Sequence, residues 1–495
     1  MGRPFQTTLG AICTSIQRLQ ALSRGVKFNK GPAVPLQATA DGPNTCPGDT
    51  EPEGTTITSL PVELIELIVG FLDVLANPPK AKEIEPEERS WDSLAYGIKR
   101  SVVNNAPKEP PALKSCALAC RALAGPARRV LWADCKLASN TLEDFVAKFP
   151  PSTRSLHSFV RSLEYCGGPY QHQRGRRLFP YHKPGLAYEP ENKAFARHLG
   201  MFTNLTTLLL VSVRFDELPA GAASAMGVGF PHLGTLVLGF HVIFDSALQL
   251  AILLRDLPEL HTLQVANSVT FSGTKLPEGL ALPKSLRRLA LSTEVPAQMQ
   301  AALSWCTPGA LPLLEHCSLT DLTEETLGLL SLDDLARDAG ESLKSLTLSF
   351  RSAKWIETAS TTTTSSGGTV STSADVEALV DAVDLSEFTS LLELSLEFDR
   401  SEWLGLARVL ENMRAPNLRY LRIKLPTYVS DSHLDSFDWP AMDALLSGPQ
   451  FPGLKKVRLA GALDQALGRL YDRRLPRCKA RGLREVSRNG CAFEI

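Results

Sequence analysis

The sequence predicts an α/β fold: a solenoid with one parallel strand per repeat, preceded by a small all-α module. Three observations carry this. Leucine supplies 78 of the 495 residues, and 35 of those lie within residues 201–350. The pattern L-x-x-L-x-L recurs at nearly constant spacing through that region and beyond it. An amphipathic helical stretch precedes the first copy. The chain is 44% hydrophobic and 21% charged, as an ordinary globular protein is, and its formal charge of −1 excludes a polyelectrolyte along its whole length.

Residues 1–57 read as a tail outside any core. Arg3, Arg18, Arg24, Lys27 and Lys30 precede the first acid, Asp41, and residues 31–58 are rich in Pro, Gly and Thr. Leu9, Ile12, Ile16 and Leu19 fall at helical spacing among those cations, so a mitochondrial transit peptide stands as a second reading beside the cytoplasmic or nuclear location expected otherwise. No uninterrupted apolar run approaches the roughly 20 residues that cross a bilayer. The ten cysteines make no CxxC and no zinc-type Cys/His cluster, so they are expected to be reduced and buried, with no metal and no cofactor.

Residues 58–137 read as the helical module. Ser59 stands at an N-cap position before Pro61 and Glu63, and Leu64, Ile65, Ile68, Leu72 and Leu75 share one helical face. A second face is formed by Leu113, Cys116, Ala117, Cys120 and Leu123, is expected to break at Gly125-Pro126, and closes on Val130-Leu131-Trp132. Residues 77–111, rich in Pro, Lys and Glu, are an insertion between the two. Cys116 and Cys120 lie one turn apart with no second pair to complete four metal ligands, which makes them small core residues.

The repeat occupies residues 138–490. Copies open at Leu205, Leu233, Leu260, Leu286, Leu314 and Leu343, spaced 28, 27, 26, 28 and 29 residues apart, and again at Leu391, Leu418 and Leu454. Degenerate copies open at Val160 and Leu483. Two wide gaps hold a Gly/Pro/Arg-rich loop, 167–190, and a Ser/Thr-rich low-complexity insert, 358–374. Within each copy the last two leucines point to one side of a short strand, because strand side chains alternate. Segments such as Ser246–Arg255 and Glu402–Met413 read as covering helices. One such unit cannot bury its own apolar face; stacked units share a continuous core.

The repeat resembles the leucine-rich-repeat family, and Leu60-Pro61-x-Glu63-Leu64, Ile68, Leu72, Cys120-Arg121 and Leu131-Trp132 together resemble an F-box. The first resemblance implies an irregular solenoid here, since the consensus Asn three positions past the last leucine is replaced by Val213, His241 and Ser268. The second implies that Leu60, Pro61, Leu64, Ile65, Ile68, Leu72, Cys120, Leu131 and Trp132 dock onto a Skp-type adaptor held by a cullin scaffold. The chain would then be a non-catalytic substrate receptor of a ubiquitin ligase, the alternative being a repeat scaffold that binds a protein partner without a ligase. No P-loop, GxSxG or dinucleotide fingerprint points to an enzyme.

The third, fifth and seventh positions of each copy are expected to face away from the core. They change from neutral (Thr207, Leu209, Val211) to acidic (Glu393, Glu397) to basic along the chain. The basic end, Tyr420, Arg422, Lys424, Lys456 and Arg458, is the candidate substrate-binding strip, suited to an acidic or phosphorylated segment. Further cations, Arg174, Arg176, Arg177 and Lys183 in the loop and Arg473 to Arg488 near the C-terminus, read as solvated charge. The expected partner is a protein, with neither a membrane nor a nucleic acid.

Overall fold

The computed structural model describes residues 121–150, 156–167, 195–219, 221–239, 241–266, 269–271, 282–292, 311–322, 326, 332–350, 383–398, 405–425, 437–460 and 472–483, all within the unit Ile57–Ile495. The chain is α/β. Its strands, in order, are β1 (Asp134–Ala138), β2 (Ser162–Cys166), β3 (Thr207–Val211), β4 (Thr235–Leu238), β5 (Ile243–Phe244), β6 (Thr262–Val265), β7 (Thr270–Phe271), β8 (Arg288–Ser292), β9 (His316–Leu322), β10 (Ser345–Phe350), β11 (Glu393–Phe398), β12 (Tyr420–Lys424) and β13 (Lys456–Ala460). All except β5 and β7 form one parallel sheet of eleven strands laid down in chain order; β5 and β7 pair separately.

Each L-x-x-L-x-L segment from Leu205 to Leu454 supplies one strand of the large sheet, and the degenerate copy at Val160 supplies β2. The opening leucines, Leu205, Leu233, Leu260, Leu286, Leu314, Leu343, Leu391, Leu418 and Leu454, are all buried. So are the inward pairs Leu208/Leu210, Leu236/Leu238, Leu346/Leu348 and Leu394/Leu396, which join one hydrophobic core running from Cys135 to Leu483. Among the described residues, helices stand between β1 and β2, β3 and β4, β4 and β6, β9 and β10, β11 and β12, and β12 and β13. The helix expected at Ser246–Arg255 is observed as Ala247–Arg255, capped by Ser246, whose Oγ accepts from Gln249 N. The helix expected at 402–413 is observed as Leu406–Glu411.

Two sets of bonds hold the register. At every step of the large sheet, two successive amides entering a strand donate to a single carbonyl of the preceding one. Thr206 and Thr207 donate to Arg161 O at 2.8 and 2.9 Å, and Lys455 and Lys456 donate to Arg419 O at 2.9 and 3.0 Å. The residue just before the opening leucine often adds a side-chain strut to the preceding turn. Asn204 Nδ2 donates to Ser158 O, Ser285 Oγ to Leu260 O and Ser342 Oγ to Leu314 O, all at 2.8 Å, and Asn417 Nδ2 donates to Thr389 O at 3.4 Å. These struts satisfy backbone carbonyls at the strand entrance. Ser212 and His241, just past β3 and β4, and Asp321, near the end of β9, take left-handed conformations with φ of 54°, 56° and 61°. Asp321 also sits where the β9–β10 register shifts, and its carboxylate accepts from Ser292 Oγ.

Two expectations change at the N-terminal side. The helix Arg121–Leu131 runs on through Pro126, which removes a single amide donor and leaves the turns on both sides helical. Residues 134–138 are the first strand of the sheet, paired with β2 from Asp134↔Ser162 to Ala138↔Cys166, so the 137/138 boundary cuts through β1. Cys135 and Leu137 there alternate with Lys136 in strand fashion without the leucine motif. Trp132 turns onto Phe145 and Phe149 at ring-centroid distances of 5.8 and 5.3 Å, and Phe145 in turn contacts buried His157 and Phe202. No helix among the described residues is long and apolar enough to cross a membrane.

Candidate functional site

The outward face of the large sheet differs along its length. On β6, β8 and β9 the outward residues Thr262, Gln264, Ala290, Ser318 and Thr320 are buried. Glu397, a seventh-position residue, is also buried at 3% exposure. Toward β12 and β13 the face opens: Tyr420 is 38% exposed, Lys456 is exposed, and Arg422, Lys424 and Arg458 are half-buried.

Parallel register sets these side chains in rows. Glu393, Tyr420 and Lys456 form one; Ser395, Arg422 and Arg458 the next; Glu397, Lys424 and Ala460 the third. Neighbouring strands lie about 4.8 Å apart, so side chains within a row touch or nearly touch. The alternate residues Leu421, Ile423 and Val457 are buried beneath and fix the strand faces.

The rows differ in charge. In the first, Lys456 Nζ stands 5.4 Å from the centre of the Tyr420 ring, a cation–π contact at the surface. In the third, Lys424 Nζ bonds Glu397 Oε2 at 2.8 Å, which commits this lysine and neutralises a buried carboxylate. The five-residue basic strip is therefore smaller than its sequence suggests, since Lys424 belongs to an ion pair. In the middle row two arginines, Arg422 and Arg458, occupy directly paired positions on neighbouring strands. Arg422 Nε and the neighbouring Ser395 Oγ are shut off from water without a hydrogen-bond partner.

No protein-family model matches this chain, and no curated protein matches it.

Other sequence-singled residues fall in different places. Leu60, Pro61, Leu64, Ile65, Ile68, Leu72 and Cys120 lie outside the described residues, as do the insertion 77–111, the low-complexity insert 358–374 and the loop cations Arg174, Arg176, Arg177 and Lys183. Leu131 is half-buried, and Trp132 belongs to the aromatic cluster. Among the C-terminal cations, Arg481 Nη1 donates to Leu446 O at 3.0 Å and Lys479 lies 3.4 Å from Asp472, so both serve local structure.

Among the described residues no three His, Cys, Asp or Glu side chains converge as metal ligands. Cys135, Cys166, Cys317 and Cys478 are buried and form no disulfide among the described residues. Burial pushes the thiols of Cys135 and Cys478 up to about 12, with the Asp443 carboxylate adding to the effect at Cys478, so both stay protonated and unreactive near neutrality. What the open rows offer is recognition: fixed cations and an aromatic ring on a rigid sheet. Sequence reasoning missed Ser395 as a neighbour of the arginines and missed the Glu397–Lys424 pair. Both were within reach of a column-by-column reading, because each pair occupies the same position in successive copies.

Proposed function

We propose that the chain is a non-catalytic substrate receptor of an SCF-type cullin ubiquitin ligase, with an F-box docking a Skp-type adaptor and a leucine-rich-repeat solenoid binding a protein substrate. The observation that carries the repeat half is the one-strand-per-motif parallel sheet, whose ten steps share the same two-amide junction. Stacking of that kind builds a long binding face from units that share a core. The F-box half rests on the Leu60-Pro61-x-Glu63 opening and the Leu131-Trp132 close. Supporting it, the helix that ends at Leu131 leads within three residues into β1, so a partner held at the helices would stand at the start of the sheet.

The mechanism is proximity. A substrate held on the sheet face and a ligase held at the helices raise the effective concentration of a target lysine near the charged ubiquitin carrier. The reading requires no nucleophile or metal from this chain.

Affinity capture with the full-length chain tests it. The intact chain is expected to recover a Skp-type adaptor and cullin, and Leu64→Asp/Ile68→Asp to lose both while keeping its thermal melting profile. An intact chain that recovers protein partners but no adaptor would leave the scaffold reading in its place.

A further inference from the structure

We infer that His157 is the proton sensor of a latch: in acid its imidazole becomes charged and opens the aromatic joint that ties the first helices to the start of the sheet. The inference goes beyond the receptor reading and stands whatever the helices and the sheet bind.

The joint draws on four elements. Trp132 follows the helix Arg121–Leu131 and rests on Phe145 and Phe149 of the helix Ser139–Lys148. His157, in the helical turn Leu156–Phe159, meets Phe145 at 5.3 Å and Phe202 at 5.6 Å between ring centres, both pairs nearly perpendicular. The helix Ser139–Lys148 and the turn Leu156–Phe159 connect β1 to β2, and Phe202 ends the turn that leads into β3. These rings therefore join the connections of the first three strands.

His157 is an ionisable group in a place built for an aromatic ring. It is 1% exposed, and neither Nδ1 nor Nε2 has a hydrogen-bond partner among the described residues. A neutral imidazole is tolerated there as one more ring; an imidazolium would carry two donors with neither water nor an acceptor. The charged side chains on the elements packed around it point to water. Glu143, Asp144 and Lys148 on one helix, Arg128 and Arg129 on the other, and Arg161 and Arg197 on the flanking segments are all exposed. Burial first, and the charge of half-buried His198 second, disfavour the imidazolium in the closed joint.

Opening the joint removes both obstacles, so opening takes up a proton. The open imidazole titrates near its ordinary value of about 6.5 and the closed one lower, so opening gains nothing from acid above pH 7 and is favoured increasingly below about 6.5. One proton limits the effect to about tenfold per pH unit. Acidification would thus loosen the helices from the sheet by freeing the rings of Trp132, Phe145 and Phe202 from one another.

Hydrogen exchange on the full-length chain tests the latch, with rates corrected for the intrinsic effect of pH and the β10–β12 amides as internal reference. The amides of Phe149, Val160 and Phe202, which donate to Phe145 O, His157 O and Leu199 O, report the joint. Relative to the reference they are expected to open about fivefold more often at pH 5.5 than at pH 7.0. His157→Phe, which keeps a ring and removes the titrating nitrogens, should abolish this acceleration, as should His157→Leu. His198→Gln should retain most of it, and a melting curve at pH 7.0 accompanies each variant. Acceleration that persists in either folded His157 variant, or that disappears with His198→Gln, would overturn the proposal. Equal acceleration of joint and reference in the parent chain would overturn it too, whatever the variants do.

Discussion

Asp443 offers the most direct measurement of how the end of the sheet is held. It lies on the helix Trp439–Ser447, 3% exposed, and reaches across to the helix Pro476–Ala480. Pro476 has no amide hydrogen, so Arg477 and Cys478 carry the first free donors of that helix. Both are taken: Arg477 N donates to Asp443 Oδ2 and Cys478 N to Oδ1, each at 2.9 Å. The carboxylate therefore acts as an N-cap supplied from 35 residues away, beside the positive end of a helix. Bonds to a charged acceptor contribute about 1.5–3 kcal/mol each, and the two here are not independent, so Asp443→Ala is expected to cost about 3 kcal/mol. Asp443→Asn keeps one acceptor but turns an NH2 toward the other backbone N–H, so it should recover little of that loss. In hydrogen exchange, 3 kcal/mol corresponds to roughly 100-fold faster opening of the amides at 477–483, with the β3–β6 region unchanged. Exchange at Arg477 and Cys478 that stays within twofold of the parent would refute the cap as a determinant of that region.

Other consequences follow from the same geometry. Leu348 is fully buried in β10, and Leu348→Ala should destabilise the chain by about 2–5 kcal/mol in urea melts, against little change for the half-buried outward Thr347→Ala. At Gly453 a Cβ would stand 2.7 Å from Pro416 O, a backbone atom that cannot step aside cheaply; Gly453→Ala is expected to lose about 1–3 kcal/mol by the same assay. His157, buried edge-on against Phe145 and Phe202, has its pKa held below the usual imidazole value by burial first and by nearby His198 second. The unfolded chain then binds more protons than the folded one below about pH 6.5, so stability should be full above that pH and fall as pH drops toward 5.5. His157→Phe should flatten this slope in thermal melts at pH 7.0, 6.3 and 5.5; an unchanged slope would assign the pH dependence to other groups, such as His261, whose pKa is also lowered.

Much of the sheet was legible because its signal is one-dimensional. A leucine every 26 to 29 residues states where strands begin, and alternation states which side chains turn inward; Leu208, Leu236 and Leu346 are buried for that reason. β1 was hidden because its inward residues are Cys135 and Leu137, which do not make the motif. β5 and β7 are two residues each, too short for any period to appear. Pro126 was misread because a proline in a sequence weakens a helix without deciding whether neighbouring contacts hold it.

The candidate site divides the same way. Composition and register determine that Tyr420, Arg422, Lys424, Lys456 and Arg458 share one face of two neighbouring strands, since that follows from counting positions. Which of them remain available is decided by contacts between side chains. Lys424 is withdrawn by a carboxylate 27 residues earlier in the chain, while Arg422 and Arg458 find no such neighbour among the described residues. The middle strands are closed by burial that no repeat pattern encodes. Periodicity is a property of the backbone and survives in the sequence; charge pairing and exposure depend on which atoms meet within about 4 Å, and folding alone brings those atoms together.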